Sequence, residues 1–227
     1  MIDANSLSAT VDSVNAALFE RRRLTPEERT RVARWIASRQ GLAGAYADTF
    51  AGFPTEQSRG VVLFTGERIG SASARHILGE EACRVLRLLR VRDTTVSAAL
   101  ARATAGLMSC LERAARDPRN SNPGLYCCGK CSVGVWRHLL AGGLDRQDER
   151  LQRGVKHLRS ARDGQGEWRK FPFWYTVLAL TDIDAPDAKR ELKYAAPLLE
   201  RAASRAAGST TAAKRRQTLA GRELDRL

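Results

Sequence analysis

The 227-residue sequence has no long apolar run, few aromatics and only three histidines. A membrane-spanning helix needs a stretch of ~18 apolar residues or more. No segment approaches that length, so no membrane span is expected. The opening Met1-Ile-Asp-Ala-Asn-Ser6 lacks the positive start and apolar centre of a secretory signal, and the expected location is cytoplasmic. Aromatics make up 6% of the chain and fall inside apolar segments, which gives no platform for stacking bases. Acidic residues are also scarce: 25 against 38 Lys and Arg leave a net charge of +13. A basic balance suits nucleic acid, an anionic surface or a phosphorylated ligand, and equally a solvated arginine-rich surface. The five cysteines are an odd number with three of them clustered, which argues against a secreted disulfide framework.

What is present is helical periodicity. Leu7, Val11, Val14 and Leu18 mark a helix over about residues 7–21, ending in Arg21-Arg22-Arg23. Thr25-Pro-Glu-Glu28 reads as a capping box opening a second helix, with Val32 and Ile36 on its buried stripe. Residues 51–70 carry glycine, proline and the unclassified run Val61-Val-Leu-Phe64. Further helices are expected over about 73–89, from Thr94 or Thr95 to Asp117-Pro118, and over about 131–141. Asp145 is the expected cap of a helix carrying Leu151, Val155 and Leu158. The segment 171–180 is apolar all round and should be buried. A last helix runs from Pro186 to about Ser204, interrupted by Pro197. Residues 1–206 read as one all-α domain, and residues 207–227 as a mobile basic tail.

An amphipathic helix, a glycine turn, an aromatic and a more apolar helix recur near Trp35–Tyr46, Leu107–Tyr126 and Leu158–Trp168. This is the pattern of stacked helical hairpins. The third unit, Asp148-Glu-Arg-Leu…Asp163-Gly-Gln-Gly-Glu-Trp168…Phe173-Trp-Tyr-Thr-Val-Leu-Ala-Leu180, resembles a repeat of the terpenoid cyclase and protein prenyltransferase superfamily. The resemblance is best over residues 145–183. It implies part of an α/α toroid, an arc that a partner protein or a second copy would complete. It also implies zinc near the starts of inner helices. Cys128 and Cys131 fall near the family's aspartate and cysteine ligands, whereas Tyr175 stands where its histidine would be. The cyclase acid motif has only Asp182-Ile-Asp184 as its nearest counterpart, followed by Ala185.

Chemistry concentrates in Tyr126-Cys127-Cys128-Gly-Lys-Cys131. Cys128-Gly-Lys-Cys131 is the local half of a zinc site, with Gly129 expected to permit the turn and Lys130 to favour thiolate. The remaining ligands come from Cys127, from His138 seven residues beyond Cys131, or from His76, which shares a helix face with Glu80 and Cys83. The same thiols also suit a redox-reactive or purely structural cluster. Cys128 or Cys131 with His76 or His138 as base would make a nucleophilic pair. Tyr46, Trp136, Phe173, Trp174 and Tyr175 are candidates to line a pocket for an apolar, isoprenoid-like ligand, with arginines receiving a phosphate. The alternatives are a helical scaffold that binds protein and a basic protein that binds nucleic acid through residues 207–227.

Overall fold

The computed structural model describes residues 1–116, 125–205 and 208–227, with the side chain of Ser71 left aside. The turn expected at Asp117-Pro118, the loop 120–124 and the 206/207 boundary lie outside those residues. The fold is all-α. Its helices are α1 Leu7–Phe19, α2 Pro26–Ala37, α3 Pro54–Arg59, α4 Ser71–Leu89, α5 Thr94–Arg116, α6 Gly129–Ala141, α7 Gln147–Ser160, α8 Phe173–Asp182, α9 Pro186–Ser204 and α10 Thr211–Leu224. The short run around Val61 resolves as strand β1 Val61–Val62, antiparallel to β2 Arg68–Ile69.

Local signals set most boundaries. Thr25 and Glu28 form the reciprocal capping box, satisfying two amides that the first turn of α2 leaves free. The Asp93 carboxylate accepts from the Val96 amide and starts α5. Asp145 does not cap α7; Arg146, in left-handed backbone, precedes Gln147, while Asp145 pairs with Arg150. Repulsion from the helix N-terminus therefore falls on Arg146, and Asp148 and Glu149 in the first turn offset it.

The helices pack as neighbouring pairs, the most extensive being α4 on α6 and α9 on α10. Helix α1 packs on α4, α6 on α8, α8 on α10, α2 on α5 and α7 on α9. Sequential helices also meet: α4 with α5, α6 with α7, and α8 with α9. Helices α4 and α6 run parallel, because residue 76 meets 131, 81 meets 137 and 80 meets 138. This parallel seam is the most extensive helix–helix contact of the fold. Gly154 makes the α6–α7 contact close: a Cβ there would run into the indole of Trp136.

The expected mobile tail is instead helix α10, capped by the Thr210 side chain and burying Leu219, Ala220 and the Glu223 carboxylate. Its arginines turn inward. Arg215 pairs with Asp12 and donates to the Phe64 carbonyl, Arg216 donates to the Thr65 carbonyl, and Arg222 donates to the Phe19 carbonyl. Arg215 and Arg222 also cover the rings of Phe64 and Phe19. Arg215 and Arg222 thus tie α10 to α1, and Arg215 and Arg216 tie it to the Phe64-Thr65 turn. Among the described residues no helix is long and apolar enough to cross a membrane.

Candidate metal centre

The cysteine loop is folded back by its own backbone. Cys127 sits at φ 59°, and the Cys128 amide donates to the Tyr126 carbonyl at 2.6 Å. This is a γ-turn of the positive-φ kind, a strained form. Ser132, one turn into α6, closes the loop: its hydroxyl accepts from the Tyr126 amide at 2.8 Å and donates to the Cys128 carbonyl at 2.8 Å. Cys128 itself is the extended N-cap residue of α6, and Cys131 lies in the first turn. The strain at Cys127 turns its side chain towards those of Cys128 and Cys131.

Helix α4 supplies the fourth group. His76 Nδ1 lies 3.4 Å from the Cys131 sulfur, and the Cys128 and Cys131 sulfurs are 3.5 Å apart. The ligand atoms of His76, Cys127 and Cys131 all fall within 4.8 Å of one another, a group that could hold a metal ion. The Tyr46 ring packs on His76 at a centroid distance of 3.7 Å, and the Tyr126 hydroxyl donates to that of Tyr46. Two tyrosines thus fix the imidazole plane. Ser73 contacts the Cys128 sulfur at 3.8 Å.

The electrostatics suit a soft cation. A hydrogen bond from Cys131 pulls the Cys128 thiol down to about 4 against the opposing effect of burial; the Cys131 and Lys130 amides and the Ser73 hydroxyl help. The Lys130 contribution is its backbone N–H at the helix start. Cys131 is pushed up by the same hydrogen bond and by burial, and Cys127 is raised by burial and by Cys128. One thiolate is therefore stabilised among three sulfurs. Burial lowers His76, favouring the neutral imidazole that a metal requires.

Other expected site residues lie elsewhere. His138 is buried, with Nδ1 2.6 Å from Glu80. Seven helical residues separate it from Cys131, roughly 10 Å of axial rise, so it cannot join the cysteines. Glu80 and Cys83 are buried as well, which removes them from the solvated face their spacing allowed. The five pocket aromatics do not converge. Tyr46 belongs to the His76 contact; Trp136 stacks on Phe171; Phe173 stacks on Trp168 and meets Trp174 edge-on; and Tyr175 is buried with its hydroxyl on Glu81. Ser132 and Ser73 are additions that no sequence motif marks, and Tyr126, legible only as a repeat aromatic, joins them.

Gly129 does not make a turn; it is the first residue of α6. A Cβ there would lie 2.7 Å from the Lys170 carbonyl oxygen and 3.1 Å from the Phe171 ring. Gly129→Ala is therefore expected to destabilise by about 1–3 kcal/mol through overpacking, read as a lower urea midpoint. An unchanged midpoint would mean that the segment around Lys170 yields freely.

A Cys131–His76 contact could also serve nucleophilic chemistry, but the Cys131 sulfur is 0% exposed. A cavity of about 120 Å³ touches Tyr126, and no cysteine stands among the described residues of its wall. Compared with family models, curated proteins and solved structures, the chain matches none.

Proposed function

We propose that this chain is a prenyltransferase- or cyclase-like helical-hairpin protein holding one zinc ion through Cys127, Cys128, Cys131 and His76, with the metal in a structural role. The carrying observation is the convergence of these groups from the α6 N-terminus and α4. Sulfurs bound at about 2.3 Å to one tetrahedral zinc stand about 3.7 Å apart, and the Cys128–Cys131 and Cys131–His76 separations of 3.5 and 3.4 Å are close to that. His76, Cys127 and Cys131 form the group whose ligand atoms lie within 4.8 Å of one another, and Cys128, with its sulfur 3.5 Å from that of Cys131, would supply the fourth position. A closed set leaves no place for water or substrate, as in structural rather than catalytic zinc sites.

The zinc fixes Tyr126, which also lines the neighbouring cavity. Leu111, Leu125, Val135, Trp136 and Leu139 line that cavity together with Arg146, Arg150 and Arg153, which pair with Glu149 and Asp145. Apolar and guanidinium lining together suit an apolar ligand with a phosphorylated head. The test is metal content of protein purified under reducing conditions, beside a Cys128→Ser/Cys131→Ser double variant. One zinc per chain, absent from the variant, is expected; folded wild type without zinc sinks the metal reading. Titration of the zinc-loaded protein with an isoprenyl diphosphate, with Arg150→Glu as control, tests the pocket. No saturable change in tryptophan fluorescence would remove the ligand and leave a zinc-stabilised scaffold.

A further inference from the structure

We propose that Cys128 and Cys131 form a reversible disulfide on exposure to a hydroperoxide, and that closing it expels the metal. The expulsion rests on the zinc reading above; the disulfide does not. The geometry favours this pair over Cys127 and Cys131, whose sulfurs also lie within 4.8 Å of each other, by its shorter sulfur separation. The Cys128 and Cys131 sulfurs are already 3.5 Å apart, so small side-chain rotations reach bonding distance. Three steps along a helix separate Cα atoms by about 5 Å, inside the 4.4–6.8 Å span that disulfides accept. Adjacent Cys127 and Cys128 have Cα atoms about 3.8 Å apart across a trans peptide, below that span, so the vicinal pair is disfavoured. Cys83 and Cys110 are buried, and the Cys110 sulfur accepts from Arg113 and neighbours Tyr46.

Accessibility sets the order of events. Cys127 is exposed, Cys128 half-buried and Cys131 fully buried, so within the bonding pair the oxidant meets Cys128 before Cys131. The Cys128 sulfur attacks one peroxide oxygen; the S–O bond forms, the O–O bond breaks, and the departing hydroxide takes a proton to become water. The Cys131 sulfur then attacks the Cys128 sulfenic acid. The S–S bond forms, the S–O bond breaks, and the second hydroxide leaves as water with a second proton. Two thiolates, one hydrogen peroxide and two protons give one disulfide and two waters. A disulfide sulfur is a poor zinc ligand, and only Cys127 and His76 remain, half of the set. A dithiol reductant reverses the step by thiol–disulfide exchange.

The experiment treats reduced wild-type protein with hydrogen peroxide, once metal-free and once zinc-loaded, then maps cysteines by peptide mass spectrometry. Free thiols are expected to fall from five to three, with a Cys128–Cys131 link in both samples. Zinc should appear in a chromogenic chelator as the link forms, and dithiothreitol should restore all thiols. Cys131→Ser should instead stop at a sulfenic acid on Cys128, trapped by dimedone. Retention of all five thiols, or a product joining chains through Cys127, overturns the inference. If zinc stays bound while Cys128 and Cys131 remain reduced, the inference fails and the zinc reading stands. If the link forms in protein that never retains zinc, the disulfide stands and the zinc reading fails.

Discussion

Replacing Glu81 by alanine is expected to cost about 3–5 kcal/mol of stability, the usual loss when one partner of a buried ion pair is removed. Glu81 Oε1 accepts from Arg137 Nε and from the Tyr175 hydroxyl, both at 2.6 Å, and Oε2 accepts from Asn15 at 3.2 Å. Arg84 stands 3.7 Å away. Four helices, α1, α4, α6 and α8, thus meet on one carboxylate. Without it, Arg137 would keep only Asp182 at 3.6 Å while remaining 2% exposed. The same group predicts acid sensitivity. Burial alone would raise Glu81, but Arg137 and Arg84 outweigh it and bring the carboxyl from its ordinary 4.5 to about 2. A depressed folded value contributes stability above the unfolded one, and that contribution disappears as pH falls from about 4.5 towards about 2. At 1.36 kcal/mol per unit, it amounts to about 3 kcal/mol. Urea unfolding at pH 7 and pH 3 would show the wild type losing most of this difference and Glu81→Ala losing little. A variant as stable as the parent at pH 7 would sink the argument.

That network also shows where reading from sequence stops. Arg84 and Arg137 look like surface charges, and nothing in their spacing reports that α4 and α6 run parallel with Glu81 between them. The capping box at Thr25 and the buried stripes of α5 and α7 were legible because they depend on contacts within one helix. Cys128 and Cys131 were legible for the same reason. His76 could be nominated from its helix face, but its choice over His138 depends on interhelical register. The tail failed differently. Residues 207–227 have the composition of a loose end, yet Leu219, Ala220 and Glu223 form one narrow buried stripe. Long arginine side chains cover apolar rings while reaching carbonyls, an arrangement that average composition conceals.

Chelation is expected to lower the melting temperature of the zinc-loaded protein by about 8–16 °C. Zinc bound to the native state alone stabilises it by RT ln(1 + [Zn]/Kd), about 4 kcal/mol at free zinc a thousand times Kd. In a domain of this size, each kcal/mol moves the melting temperature by about 2–4 °C. The apo protein should nevertheless stay folded, unlike a small zinc finger, because the α4–α6 seam is held by Glu81, Arg137, Glu80 and His138 as well as by the cysteine end. The effect should be local. Without metal, the positive-φ backbone at Cys127 loses the bond that offsets its strain, and exchange of the Cys128 and Ser132 amides should accelerate while α8 and α9 stay protected. His76→Ala keeps three thiolates and should retain zinc more weakly, with a smaller chelation shift; Cys131→Ser removes the sulfur that contacts both Cys128 and His76, and its melting temperature should no longer respond to chelator. Equal melting of zinc-loaded and chelated wild type would show that the metal does not join α6 to α4, and would return their packing to the buried ion pairs alone.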